Sequence, residues 1–242
     1  NGEQGRTAAK IVGGGNHFVA LKANGEVWTW GYNGYGQLGI GNTETKNRPT
    51  KTNIYNSKDE TQSTYAIDVA AGANHTLILR KDGTVWATGY NNKGQLGDGT
   101  TKTTNKFHKV KGPNGEGYLQ NIVQIAAENN TSHVLTADGS VYSYGYNYYG
   151  QLGTRNTTNY MLPVTMVDSK GNTVTGVKDI EANGYTSILS IKPTTTGTEG
   201  NLSQTAGIYV TGYNNYGQLF NQDTKTLTSL TKVQEDKNII TM

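Results

Sequence analysis

Cysteine is absent from the 242 residues, which excludes disulfides and thiolate metal sites and leaves the redox compartment open. Long apolar runs are absent too. Only 33% of the residues are hydrophobic, and no segment approaches the roughly 18 apolar residues of a membrane span, so membrane insertion is not expected. Charge of one sign is also missing: 21 basic residues stand against 18 acidic ones, scattered along the chain, for a net charge of +3. Without a clustered Lys/Arg stripe, a nucleic-acid partner is disfavoured. The chain opens on Asn1 with no signal peptide and no initiating Met, and so reads as a piece of a longer protein.

Glycine is abundant, with 32 residues, and much of it is ordered in a repeat. The string Gly-Tyr-Asn-x-x-Gly-Gln-Leu occurs at 31–38, 89–96, 145–152 and 212–219, its first glycines 58, 56 and 67 residues apart. Such periods mark supersecondary units stacked on their neighbours. The spacing predicts one repeat domain over 1–242, with repeats at 8–51, 65–110, 121–166 and 177–233 and the start of a further repeat at 238–242.

Each repeat reads as a short apolar strand, a small-residue turn, a second strand, a tight turn and a third strand running into the glycine motif. The second repeat shows this as Ala66 to Ala70, Ala71 to Asn74, His75 to Leu79, Lys81-Asp82-Gly83 and Val85 to Thr88. Periodicity is near 2, without a helical stretch. Asn24-Gly25, Asp82-Gly83 and Asp138-Gly139 are hairpin turns, since residues there must accept positive φ. The third strands carry an aromatic column, Trp28, Trp86, Tyr142 and Tyr209, beside an aliphatic column, Val27, Val85, Val141 and Ile208. Both read as packing layers between adjacent sheets, because large planar rings bury much area at low rotamer cost. The motif glycines Gly36, Gly94, Gly150 and Gly217 suit a left-handed backbone, and Gln37, Gln95, Gln151 and Gln218 can bond groups left open at that turn.

The His-x-x-x-Leu strands at His17 to Leu21 and His75 to Leu79, the Asp/Asn-Gly turn, the Val-Trp/Tyr strand and the four Gly-Tyr-Asn-x-x-Gly-Gln-Leu strings resemble the regulator of chromosome condensation repeat family. The resemblance covers nearly the whole chain. It implies an all-β fold of β-propeller blades, about four here, belonging to a larger propeller of the seven-bladed type. For function it implies little, because the repeated residues are structural. Members of that family include a nuclear guanine-nucleotide exchange factor, secreted β-lactamase inhibitors and many bacterial surface proteins, and no exchange-factor residue transfers to these positions. Departures from the pattern are Thr131 and Tyr185, read as occupying the place of His17 and His75, and Phe220, where Gly39, Gly97 and Gly153 stand in the other repeats. The fourth repeat also carries a long Thr/Gly-rich hairpin from Lys192 to Gly207, read as an exposed tip. Asn238 to Met242 repeats the opening strand of a unit, which points to continuation into further blades or to self-association through open blade faces.

A catalytic set is not visible. The four histidines, His17, His75, His108 and His133, read as structural, because a base needs a positioned nucleophile or acid beside it. Asp68 and Asp179 share a column with Lys10 and Gln124 that reads as a solvated strand position. No serine lies in a Gly-x-Ser-x-Gly elbow, and the glycine strings lack the Lys-Ser/Thr of a phosphate loop, so neither an enzyme nor a cofactor is expected. Specificity then falls to the unlike connections 52–65, 110–121 and 167–177, and to tyrosines beside the family turn. Tyr35, Tyr148, Tyr149 and Tyr216, with Lys93 at the corresponding place in the second repeat, are the candidate partner-binding residues. The resulting expectation is a non-enzymatic protein-binding module of a secreted or surface-attached bacterial protein. A regulator promoting nucleotide exchange on a small GTPase and a glycan-binding module are the alternatives.

Overall fold

In the computed structural model, residues 8–52, 54, 65–191 and 206–233 are described. The hairpin tip at 192–205, most of the 52–65 connection and the strand expected at 238–242 lie outside them. The described residues form four antiparallel sheets of four strands each, consecutive in sequence. The first blade contains β1 (Ala8–Gly13), β2 (His17–Lys22), β3 (Val27–Gly31) and β4 (Lys46–Lys51). The second contains β5 (Ala66–Ala71), β6 (His75–Arg80), β7 (Val85–Gly89) and β8 (Thr104–Lys109). The third contains β9 (Ile122–Glu128), β10 (Thr131–Thr136), β11 (Val141–Gly145) and β12 (Tyr160–Thr165). The fourth contains β13 (Val177–Asn183), β14 (Thr186–Ile191), β15 (Gly207–Gly212) and β16 (Leu227–Lys232).

Sequence periodicity predicts three strands per repeat; the structure adds a fourth on the outer edge. These outer strands, among them Lys46-Asn47-Arg48-Pro49-Thr50-Lys51, are polar or carry an internal proline, as suits an edge that must not recruit another sheet. The second and third strands meet at the expected turns, where Gly25, Gly83 and Gly139 have φ of 80°, 75° and 85°. In the first of these turns Asn24 Oδ1 accepts from Glu26 N at 3.1 Å, and in the second Asp82 Oδ1 accepts from Thr84 N at 3.0 Å.

Neighbouring side chains on a strand point to opposite faces, so the two columns on the third strands serve different joints. Trp86 packs back onto Val19, Leu21 and Val27 of the first blade, whereas Val85 packs forward onto Ile122, Ile125 and Val134 of the third. Tyr209 and Val141 repeat this at the third joint. Trp28 and Ile208, the end members of the columns, have no such neighbour among the described residues and are partly exposed.

The column read as solvated is open to solvent at Lys10 and Asp179, and it also ties blades together. Lys10 Nζ lies 2.6 Å from Asp68 Oδ1 across the first joint, and Gln124 Nε2 donates to Asp179 Oδ1 at 2.6 Å across the third. The backbone pairing also moves one expectation. His17, His75 and Thr131 pair with Gly31, Gly89 and Gly145, and the residue paired with Gly212 is Thr186, not Tyr185. Tyr185 belongs one place earlier, with Asn16, Asn74 and Asn130.

Candidate partner-binding surface

The glycine motif builds one end of every blade around a buried asparagine. Asn33 Oδ1 accepts from Leu38 N at 3.0 Å, while its Nδ2 donates to the carbonyls of Asn42 at 2.9 Å and Glu44 at 3.1 Å. Asn91, Asn147 and Asn214 bind Leu96, Leu152 and Leu219 in the same way. The following turn closes through the glutamine, as expected: Gln37 Oε1 accepts from Tyr35 N at 3.0 Å, and Gln95, Gln151 and Gln218 repeat the bond to Lys93, Tyr149 and Tyr216. Gly36 needs its φ of 76° and its lack of a Cβ, which would lie 2.4 Å from Asn105 Cα of the next blade. With its backbone spent on these bonds, each turn projects its two variable residues outward.

Those residues form a ridge of tyrosines across the joints. Tyr35 reaches Tyr90 of the second blade, ring centroids 4.4 Å apart. Lys93 takes the same slot in the second blade, its Nζ 5.9 Å from the centroid of Tyr146, a cation–π distance. Tyr149 lies 4.8 Å from Tyr213 of the fourth blade, and Tyr216 sits 6.0 Å from Tyr213. Of the four candidates, Tyr35 and Tyr149 are partly engaged in joining blades. Tyr148, 65% exposed, and Tyr216, 86% exposed, stand free toward solvent.

One ridge residue escapes a sequence reading based on the wrong column. At the first joint Gln37 Nε2 donates to Asn74 Oδ1 at 3.3 Å, and at the second Gln95 Nε2 donates to Asn130 Oδ1 at 3.0 Å. At the third joint the asparagine position is Tyr185, and Gln151 Nε2, buried, has no hydrogen-bond partner among the described residues. An unmade bond at a buried amide costs about 1–3 kcal/mol. Tyr185 turns instead into the ridge, 4.9 Å from Tyr149 and 5.8 Å from Tyr146. Its signal in the sequence is the Tyr that breaks the Asn16, Asn74 and Asn130 series.

Beneath the ridge three histidines tie the blades together. Thr76 Oγ1 donates to the Gln37 carbonyl at 2.7 Å, so its contact with His17 Nε2 at 2.9 Å requires the ring to donate. His75, Ser132 and the Gln95 carbonyl repeat the relay at 2.8 and 2.8 Å. Thr131 replaces the histidine in the third blade, but His133, two residues on and on the same face, contacts Ser187 Oγ at 3.1 Å and restores the relay to the Gln151 carbonyl. Burial holds the pKa of His17 and His133 down to about 4 and that of His75 to about 3, so all three are neutral near pH 7. No hydroxyl in these relays is free to attack a substrate, because each donates to a carbonyl. His108 sits apart on β8, its pKa also lowered by burial.

The 110–121 and 167–177 connections lie at the opposite end of the blades, beside the Asp-Gly turns. The 110–121 segment folds back on itself through Gly112 N to Gly117 O at 3.2 Å and buries Leu119 against the second joint. In the 167–177 segment Asp168 Oδ1 accepts from Lys170 N at 2.8 Å and Asn172 N at 2.9 Å, and Val174 is buried in the third joint. Ridge and connections are therefore separate surfaces. Among the described residues, no group of three His, Asp or Glu could hold a metal ion, and no helix is long and apolar enough to cross a membrane.

Four-stranded blades in sequence, joined by a repeated polar relay and faced by a tyrosine ridge, define a β-propeller of the repeat type. The chain belongs to the family of the Regulator of chromosome condensation (RCC1) repeat, which matches residues 24–79, 82–135 and 138–188. It is 35% identical over 150 residues to human X-linked retinitis pigmentosa GTPase regulator, covering 62% of this chain and 14% of that protein. It is 36% identical over 138 residues to the zebrafish (Danio rerio) Protein RCC2 homolog, covering 57% of this chain and 26% of that protein. Among solved structures, human WBSCR16 superposes with a TM-score of 0.73 at 20% identity, over 95% of this chain and 54% of that one. Yeast RCC1 (Prp20), solved bound to Kap60, gives 0.70 at 21% identity over 94% and 50%. The chain thus spans about half of those structures and only 14% and 26% of those two sequence relatives.

Proposed function

We propose that the chain is a non-enzymatic protein-interaction module whose blades hold the tyrosine ridge rigid against a protein partner, within a secreted or surface-attached bacterial protein. The ridge carries this reading. Tyr148 and Tyr216 are large, amphipathic and exposed, on turns whose backbone bonds are already satisfied, and tyrosines held this way lose little entropy on binding. The relays beneath them use the hydroxyls of Thr76, Ser132 and Ser187 for joining blades. Yeast RCC1 bound to Kap60 supports protein binding as a use of this fold. The polar, cysteine-free composition is compatible with an extracellular setting.

The test is affinity capture from cell-envelope and host extracts, followed by capture with a Tyr148→Ala/Tyr216→Ala double variant. A partner held by the wild-type chain and lost by the variant, with melting unchanged, supports the reading. Retention of every partner by the variant moves binding to the 110–121 and 167–177 connections. Nucleotide-exchange activity is the second reading, favoured by the similarity to a GTPase regulator. Acceleration of nucleotide release from a small GTPase at substoichiometric chain would establish it in place of simple binding.

A further inference from the structure

At each internal joint the rear of the following blade meets the one before it with hydroxyls. On the second and third strands Thr76 pairs with Thr88, Ser132 with Tyr144 and Ser187 with Thr211. Thr76, Ser132 and Ser187 stand between the histidine and the glutamine carbonyl of the blade before. Thr88 and Thr211 donate to the carbonyls of Gly36 at 3.0 Å and Gly150 at 2.9 Å, again on the blade before. The first blade has none of these. Its residues at the same two places are Phe18 and Trp30, paired and stacked with centroids 5.4 Å apart and planes at 16°.

The fourth blade departs in the matching way. The forward-facing histidine of a relay stands either opposite the last glycine of the third strand, as His17 and His75 do, or two residues beyond that place, as His133 does. In the fourth blade these places hold Thr186, whose Oγ1 donates to the Tyr213 carbonyl of its own blade at 2.9 Å, and Ile188. Its forward face therefore offers no imidazole, and the rear face of the first blade offers no hydroxyl. A repeat with the usual hydroxyl, placed on the fourth blade, meets Ile188; a repeat with the usual histidine, placed behind the first, buries an N–H against Phe18. Set against each other, the two faces lose donor and acceptor together, and no polar group is stranded.

The polar ties around that gap are kept. Gln218 stands where Gln37 and Gln95 donate to Asn74 and Asn130 of the following blade, and Asn16 holds the asparagine place on the first blade. Asp179 and Lys10 belong to the column that links Lys10 to Asp68 and Gln124 to Asp179, and as neighbours across a joint they carry opposite charge. All four are exposed. The two faces do not meet within one chain, since Phe18 is 47% exposed and Ile188 36%. The chain superposes on about half of each of two larger propellers, as an arc does.

We propose that the rear face of the first blade docks on the forward face of the fourth blade of a second copy of this chain, with Phe18 against Ile188 in place of the histidine and hydroxyl of the internal joints. The contact is heterologous, one kind of face meeting the other. Phe220, on the same forward face, adds bulk but no polar group, and so loosens the joint without changing its partner. The tyrosine ridge takes no part.

Sedimentation equilibrium of the whole chain measures the association. Phe18→Thr and Ile188→His should each weaken it about tenfold or more, whereas the double variant should return to within about threefold of wild type, because the introduced imidazole and hydroxyl rebuild the relay to the Gln218 carbonyl. Melting of all three should match wild type, as both positions lie on open faces. A chain blocked at the rear by Ile11→Lys and one blocked at the front by Ile208→Lys should each be monomeric alone and form a 1:1 complex when mixed. Wild-type association in the single variants, additive losses in the double variant, or no complex in the mixture would each overturn the proposal. Association that survives in either blocked chain alone would overturn it in favour of like faces meeting. A wild-type monomer at every concentration would do so in favour of faces covered within one chain.

Discussion

The buried histidines make stability depend on pH in a window that their burial defines. Each is neutral when folded, with a pKa of about 4 for His17 and His133 and about 3 for His75, against an ordinary value of 6.5. Below pH 6.5 the unfolded chain takes up protons that the folded chain refuses, so stability falls as pH drops and levels out near the folded values. The slope approaches about 1.4 kcal/mol per pH unit for each histidine. Urea midpoints should therefore fall steeply between pH 6.5 and 4, and a flat profile there would contradict neutral burial. Trp86 gives a second test. It is buried, and the Arg80 guanidinium lies 3.8 Å from its ring, so Trp86→Ala should cost about 3–5 kcal/mol in chemical unfolding. Trp28→Ala should cost well under half as much, because Trp28 is only partly buried and no blade among the described residues packs behind it. A loss under about 1 kcal/mol for Trp86→Ala would instead mark the ring as available for binding. The aromatic column was legible in the sequence because it repeats in register. That His133 stands in for His17 and His75 was not, since a shift of two residues keeps the face while breaking the alignment.

At the scale of elements, the connections are less free than their unlike sequences suggest. Ile54, Leu119 and Val174, one from each connection, are all buried, each in a different joint. Leu119→Ala should therefore destabilise by about 2–4 kcal/mol, whereas Gly117→Ser, at a place where a Cβ meets nothing within 4 Å, should cost about 1–2 kcal/mol through its φ of 58° alone. Thermal melting of the two variants separates a packed connection from a passive linker, and equal small shifts would restore the linker reading. Three strands of every blade were legible because their inward residues alternate or run apolar. The outer strand was not, for the same reason that it works as an edge: Lys46 to Lys51 contains no buried residue and a proline. The tyrosines beside the turn were legible as candidates, but which of them face solvent depends on the blade that follows, and that is a property of the joint.

For the whole molecule, the same columns that bury three joints leave two faces uncovered among the described residues. Ile11 on the rear of the first blade is 58% exposed, while its counterparts Val69, Ile125 and Ile180 are buried. Phe18 stacks on Trp30 at 5.4 Å on that same blade, and Ile208 and Ile188 lie exposed on the fourth. Phe220 adds to the fourth blade a side chain at φ 50°, where the other blades keep glycine; a Cβ at Gly39 would come within 2.0 Å of Phe107 on the following blade. A neighbour docking on the fourth blade must therefore leave room for Phe220, which the residues of the internal joints do not. Apolar sheet faces of this kind favour association, and a face altered by Phe220 favours an imperfect, concentration-dependent one over a closed ring. Residues 1 to 242 alone should show a mass that rises with concentration in light scattering, together with binding of a hydrophobic dye. Ile11→Lys and Ile208→Lys should each lower the apparent mass, because head-to-tail contact needs both faces, and Phe220→Gly should tighten the association by restoring the joint used elsewhere. A monodisperse monomer at all concentrations with little dye binding would show that the two faces are covered within one chain.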